Sequence, residues 1–205
     1  DKSALQRLRF QQPASMTFVV PSEFRGANLE IELVKVDLFA HDFKVIEATT
    51  GQAADVDLGV HYRGVVKGQP NSIAAFSFFE NDVMGLVSTD GDGNLVLGKL
   101  QGNRHQDRYI LYPDDALMET FDLGCATPDD HEGYTRKDLE AYPDQRALSD
   151  CVDLYYEVDF DIYQNKGGTT GATNYVTGLH NEVATLYANE NINTQISSIF
   201  VWNTT

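Results

Sequence analysis

The sequence predicts an α+β protein in which β-strands dominate the first part and a strand–helix–strand unit makes up the last. Short apolar runs separated by turn residues recur between residues 15 and 100, a pattern typical of an antiparallel β-sandwich or an open barrel. From residue 151 onward, the apolar residues change from strand-like runs to helical spacing and back again. This change indicates a βαβ unit.

Three runs in the first part predict an antiparallel meander, at residues 72–79, 83–88 and 95–100. Short turns at 80–82 and 90–93 separate them, as in consecutive hairpins. The second turn has the alternating oxygen ligands that begin a calcium loop. A full loop needs glycine at its sixth position and glutamate at its twelfth, where Leu95 and Gln101 stand. We therefore interpret residues 90–93 as a plain hairpin turn.

The last part contains two strand-like runs, 152–158 and 192–201, with helical spacing between them. The apolar residues of that spacing are Val176, Leu179, Val183, Leu186 and Tyr187. They predict a helix of roughly 17 residues with one apolar stripe. The two strands are expected to pair in parallel, and a parallel sheet is normally covered on both faces. One helix covers only one face, so we expect further strands and helices to follow Thr205.

The charge balance is strongly acidic, with 31 Asp and Glu against 15 Lys and Arg and a formal net charge of −16. Such a surface repels phosphates, which argues against nucleic-acid binding and against docking on anionic membranes. No apolar run approaches the ~20 residues of a membrane span. The acidic surface suits a secreted protein.

Half of this charge falls on residues 113–150, which hold eleven acids and three bases together with three of the six prolines. Few of these residues show strand or helix periodicity. We interpret 113–150 as an acidic linker that joins a β-rich domain, 1–112, to a second folded part, 151–205.

Cys125 and Cys151 are the only cysteines. Three interpretations of Cys125 stay open: a disulfide with Cys151, a free thiol of no consequence, or a thiolate that binds a metal supplied by another part of the protein. Four acidic residues on and after the strand at 152–158 pose a similar choice: Asp153, Glu157, Asp159 and Asp161. They form either a solvated strand face or part of a cation site, because a carboxylate between apolar strand residues needs a partner.

No complete catalytic set occurs in the chain. His131-Glu132 is the only His-Glu pair, and Thr135 stands where a zinc protease needs its second histidine. We interpret all five histidines as surface or packing residues: His41, His61, His105, His131 and His180. No Gly-x-Ser-x-Gly elbow is present.

Three segments of the last part resemble one known family in their order. They are residues 152–159 followed by Ile162-Tyr163, then Asn181-Glu182-Val183 with Leu186-Tyr187, and then 192–203 with its final Val201-Trp202-Asn203. They are similar to the first strand, first helix and second strand of the catalytic domain of adamalysin (reprolysin) zinc metalloproteases, which are metzincins.

Four earlier segments resemble the propeptide of that family. They are Tyr62-Arg63-Gly64, residues 68–72, Gly85-Leu86-Val87 and Leu95-Val96-Leu97. The propeptide-like and catalytic-like segments stand in the order of a protease precursor, and together they cover about half of the chain.

The resemblance implies a zymogen, with a β-rich propeptide domain at 1–112, the linker at 113–150 and the N-terminal part of a metalloprotease catalytic domain at 151–205. Cys125 would be the switch cysteine that holds the zinc, and Arg136-Lys137 would be the activation cleavage site. Asp153 matches an acidic position that helps to bind a structural calcium in some members. The zinc histidines and the base glutamate are expected beyond Thr205, so the 205 residues alone should be inactive.

The expected function is therefore that of a secreted hydrolase precursor. The parent would be a zinc metalloendopeptidase that cleaves protein substrates with a zinc-bound water. The propeptide would keep its own downstream protease domain latent and assist its folding. An alternative is an extracellular acidic β-rich binding or adhesive module without catalysis. A glycoside hydrolase with paired carboxylates is a third possibility, although no acid pair is distinguished by its sequence environment.

Overall fold

The computed structural model describes residues 1–21, 28–100, 108–116 and 151–205. In this part of the chain, a seven-stranded antiparallel sheet and a three-stranded parallel sheet contact a long helix. The large sheet is curled into a half-barrel. The prediction of a β-rich α+β fold is confirmed, and of its two alternatives the open barrel is nearer to the structure.

The described helices are α1 (Lys2–Gln11), α2 (Phe160–Asn165) and α3 (Thr169–Asn189), and Asp114–Ala116 forms one turn of 3₁₀-helix. The described strands are β1 (Ser15–Val20), β2 (Leu29–Val36), β3 (Phe39–Glu47), β4 (Val60–Val66), β5 (Gln69–Phe78), β6 (Val83–Thr89), β7 (Gly93–Lys99), β8 (Tyr109–Pro113), β9 (Cys151–Val158) and β10 (Asn193–Val201). None of the described helices is long and apolar enough to cross a membrane.

The large sheet has the order β1-β2-β4-β5-β6-β7-β8, and every neighbouring pair is antiparallel. The predicted meander is confirmed as β5, β6 and β7. Alternation along β2, β6 and β7 buries one face of the sheet, whereas parts of the middle strands β4 and β5 are buried on both faces. Tyr62 of β4 and Phe76 of β5 have no exposed surface. Leu5 and Leu8 of α1 pack against this core.

The turn between β6 and β7 is a hairpin connection, as predicted. The Thr89 hydroxyl oxygen accepts a hydrogen bond from the Asp92 amide at 3.0 Å. Gly93 has a φ of +67°, a left-handed conformation that glycine adopts at low cost. The local hydrogen bond and the glycine therefore account for this turn.

The small sheet has the order β3-β10-β9, and both of its pairs are parallel. The predicted βαβ unit is confirmed, because α3 lies in sequence between the parallel strands β9 and β10. The third strand, β3, comes from residues 39–47, so a strand from the region 1–112 completes a sheet of the region 151–205. Val45, Ile196 and Ile199 form part of the core on this sheet.

Helix α3 does not bury the stripe that its sequence suggests. Leu179, Val183, Leu186 and Tyr187 are each 38–46% exposed. The buried residues are mostly small or polar: Ala172, Thr173, Thr177, Gly178, His180, Asn181, Ala184 and Thr185. Close packing explains this choice, since a Cβ atom at Gly178 would lie 2.6 Å from the sulfur of Met84 in β6. The helix contacts strands of both sheets. Of the predicted stripe, Val176 packs against the core of the small sheet, and the other four residues remain partly exposed to solvent.

Candidate functional site

Three of the predicted site residues, Cys125, Arg136 and Lys137, lie outside the described residues, as does the linker after Ala116. The zinc switch, the cleavage site and the pairing of Cys125 with Cys151 therefore stay predictions. Cys151 is exposed at the start of β9. Partial desolvation and the neighbouring negative charge of Asp153 raise the pKa of its thiol.

Asp153 lies on the exposed outer face of β9, where its carboxylate accepts a hydrogen bond from the Gln195 amide at 2.5 Å. Glu157 shares that face. Asp159 instead caps α2 by accepting a bond from the Ile162 amide at 2.9 Å, and Asp161 lies in the first turn of that helix. The four acidic residues thus do not form one row. No three or more His, Cys, Asp or Glu side chains of the described ranges are grouped to hold a metal ion.

The outer face of the small sheet carries an aromatic cluster around Glu157. The Trp202 indole N–H and the Tyr155 hydroxyl both donate hydrogen bonds to this carboxylate, at 3.2 and 3.1 Å. The Phe200 and Trp202 rings meet edge to face with centroids 5.1 Å apart. Tyr155 and Trp202 are 53% and 43% exposed. This face is able to contact another protein surface.

Among the described residues, a set of buried and partly buried polar groups lies where α3 meets the large sheet. We call this set the seam: His61, Arg63 and Ser77 of the sheet with His180 and Asn181 of α3. The Asn181 amide nitrogen lies 3.2–3.3 Å from the Tyr62 carbonyl, the Phe76 carbonyl and the Ser77 hydroxyl. Its side-chain oxygen accepts a bond from Arg63 Nε at 3.0 Å. Asn181 thus joins α3 to strands β4 and β5.

His61 has a defined tautomer in the seam. Its Nε2 lies 2.9 Å from the Leu58 carbonyl, which only accepts, so Nε2 carries the proton. Its Nδ1 then accepts from the Ser77 hydroxyl at 2.9 Å. The pKa of His61 is lowered to about 4, mainly by burial, with Arg63 contributing in the same direction. A Ser–His pair is a nucleophile with its base in many hydrolases, but His61 and Ser77 are 3% and 1% exposed. No substrate reaches them in this structure, so the pair is structural.

His180 faces the small sheet from α3. Its Nδ1 shares a 3.0 Å hydrogen bond with the Tyr156 hydroxyl of β9. Its Nε2 is buried without a partner, as is one terminal nitrogen of Arg63, among the described residues. Burial lowers the pKa of His180 to about 4, and Arg63 contributes in the same direction. The seam therefore holds a permanent cation beside two imidazoles that burial keeps neutral.

Glu182 follows the seam on α3, and burial raises the pKa of its carboxyl to about 7. The unfolded chain has the ordinary value of 4.5, so the folded state binds the proton more tightly. The stabilisation is complete below pH 4.5 and is lost as the pH rises to 7. We expect Glu182→Gln to raise the free energy of unfolding by about 2 kcal/mol at pH 8 and to leave it nearly unchanged at pH 4.5. Urea unfolding at both pH values checks this, with exposed Glu190→Gln as the control. An equal effect at both pH values would contradict it.

The seam was not expected from the sequence, where His61 and His180 were interpreted as surface or packing residues. Packing is the correct one of these two alternatives, since both are buried. A usable signal was present in α3, where Asn181 stands on the side of the helix opposite the apolar stripe. In comparisons with known proteins, no family model matches the chain, and no curated protein shows significant similarity to it.

Proposed function

We propose that this chain is the propeptide and the first βαβ unit of a secreted zinc metalloendopeptidase precursor. The observation that carries the proposal is the exposed stripe of α3, formed by Leu179, Val183, Leu186 and Tyr187. A helix beside a parallel sheet normally covers its apolar side, and contiguous exposed apolar surface marks an interaction site. The remainder of an α/β protease domain would cover this stripe.

The seam supports the latency part of the proposal. Asn181 of the catalytic-like region bonds directly to β4 and β5 of the propeptide-like region. Strand β3 also pairs with β10 across the same two regions. A propeptide bound in this way would template the folding of the βαβ unit and would stay attached to it.

Zinc would supply the water-activating chemistry of the parent enzyme. The described residues offer no grouped set of three ligands for it. Under this proposal, the zinc histidines and the base glutamate belong to residues beyond Thr205, and no catalytic step is assigned to the described residues.

The first experiment is to read the gene beyond the codon for Thr205. The proposal expects His-Glu-x-x-His-x-x-Gly-x-x-His downstream. A stop codon, or a continuation without paired histidines, would overturn it and favour an extracellular acidic binding module. The exposed aromatic cluster at Tyr155 and Trp202 is the surface that such a module would use.

Latency has its own test, with the mature protease and the 205-residue chain added at micromolar concentration. We expect inhibition, and we expect Cys125→Ala to weaken it at least tenfold if the thiolate is a zinc ligand. Cys151→Ala is the matched control and should inhibit like the wild type. Absence of inhibition by the wild-type chain would refute the inhibitory role, and equal loss in both variants would refute the switch role.

The stripe has a separate prediction. In the 205-residue chain, Leu179→Ser with Leu186→Ser should lower the free energy of unfolding by only about 1–2 kcal/mol, because 38% of Leu179 and 46% of Leu186 is already exposed. In the full precursor, the same pair should prevent accumulation of folded protein. Phe10→Ser, at a residue that is 91% exposed on α1, is the control and should leave both properties unchanged. Normal folding of the Leu179/Leu186 precursor would contradict the proposed cover.

A further inference from the structure

The seam combines features that respond to acid. His61 and His180 are almost fully buried, and the neighbouring Arg63 is partly buried. No described carboxylate forms a hydrogen bond or ion pair with any of the three. The titratable or charged groups that face them are Asp37 from the β2–β3 connection, Arg63 from β4 and Tyr156 from β9; each imidazole faces Arg63, and His180 also faces His61.

We propose that acidification releases α3 and the strands β9 and β10 from the large sheet, because protonated His61 and His180 would then lie buried beside Arg63. Both sides of the seam are built around neutral imidazoles. His61 bonds to Ser77 and Leu58 on the side of the large sheet, and His180 bonds to Tyr156 on the side of the small sheet. A proton on Nδ1 of His61 removes the acceptor that the Ser77 hydroxyl uses. A charged His180 adds a second buried cation near Arg63, and an uncompensated buried charge is costly. For the proposed zymogen, this is a pH-controlled release of the propeptide after cleavage.

The direction of the pH effect follows from the pKa of each imidazole in the closed state and in the released state. Both imidazoles have a pKa of about 4 in the closed state and an ordinary value near 6.5 when exposed. The released state therefore takes up protons as the pH falls from 6.5 to 4. Between pH 7.5 and 4.5, each histidine favours release by roughly 70-fold. Asp37 opposes the effect at His61, but it is the weakest of the contributions there.

Glu182 acts in the opposite direction. Its pKa is about 7 in the folded chain and near 4.5 when exposed, so acidification strengthens the closed state by roughly 100-fold over the same range if release exposes it. The combined effect of the two histidines, which favours release, is larger than this effect of Glu182. The net expectation for the wild type is roughly 40-fold weaker association at pH 4.5 than at pH 7.5. Glu182→Gln removes the opposition and should give a loss of several thousand-fold.

The test uses the whole chain, cleaved once at a protease site that replaces residues 134–140, so that the two pieces are held only by their contacts. Sedimentation at pH 7.5 and 4.5 measures their dissociation constant. We expect it to rise about 40-fold for the wild type and far more for Glu182→Gln. The double variant His61→Gln with His180→Gln should instead associate more tightly at pH 4.5. His41→Gln, at an exposed histidine of β3, should behave like the wild type.

A wild-type constant that is unchanged or tighter at pH 4.5 would overturn the proposal, as would a double variant that weakens like the wild type. A disulfide gives a second test if the double variant fails to fold. The Cβ of a residue at 178 would lie 3.5 Å from that of Met84, which suits a disulfide. This test uses the uncut chain with Cys125→Ser and Cys151→Ser, whose Stokes radius should increase at pH 4.5 as α3 is released. Adding Met84→Cys and Gly178→Cys and oxidising the pair should abolish that increase. Reduction of the disulfide should restore it.

Persistence of the expansion in the oxidised chain would also overturn the proposal. These measurements contain no protease, whereas the proposed function is tested with the gene and the mature enzyme. Release at low pH in a chain whose gene encodes no downstream protease would support the acid release at the seam and refute only the zymogen proposal. Inhibition of the mature protease without release at low pH would refute the acid release and leave the zymogen proposal intact.

Discussion

Asn181→Ala is expected to lower the free energy of unfolding by about 4 kcal/mol. The Asn181 side chain lies within hydrogen-bond distance of two backbone carbonyls and the Ser77 hydroxyl, and it accepts from Arg63. Alanine would remove all of these contacts between α3 and the sheet. It would also remove the partner of the Arg63 Nε atom, and a hydrogen bond to a charged group contributes more than a neutral one.

Urea unfolding at pH 7.5 measures this loss. Asn189→Ala changes the same residue type at the exposed end of α3 and should cost less than about 1 kcal/mol. Asn181→Asp separates the two roles of the side chain, because it keeps an acceptor for Arg63 and loses the donors to the sheet. A loss below 1 kcal/mol for Asn181→Ala would show that α3 does not depend on the seam.

The parts of the fold that the sequence predicted have local causes. The meander of β5, β6 and β7 follows from alternating apolar residues and short turns, and the β9–α3–β10 unit follows from a change of periodicity. Strand β3 has no comparable pattern, because His41 and Asp42 interrupt its apolar residues. Its pairing with β10 joins residues about 150 positions apart, and no local pattern specifies such a partner.

The orientation of α3 could not be predicted from the sequence for a different reason. A helical stripe identifies an apolar side, and the usual inference is that this side faces the core of the same chain. Here Gly178 and Ala184 allow close approach to the sheets, and Asn181 donates to carbonyls of β4 and β5 that an apolar side chain could not contact in this way. The seam could therefore be recognised only after the fold had brought β4, β5 and α3 together.

Gly64→Ala is expected to have the second large effect, a loss of about 3 kcal/mol or more. Gly64 of β4 pairs with Leu33 of β2. A Cβ atom at this position would collide with the carbonyl oxygen of Glu32, a backbone atom that cannot move without disturbing β2. Relief requires β4 to shift away from its neighbour, which breaks ladder hydrogen bonds and loosens the core around Tyr62.

The matched control is Gly91→Ala in the β6–β7 turn, where an added Cβ meets no atom within 4 Å and no positive φ is required. It should change the free energy of unfolding by less than about 0.5 kcal/mol. Since β4 also carries His61 and Arg63, its displacement in Gly64→Ala should weaken the contact with α3 at neutral pH. Protection of the α3 amides against hydrogen exchange should then fall together with that of β4. Retained protection of α3 with a destabilised β4 would show that the helix is held by the small sheet alone.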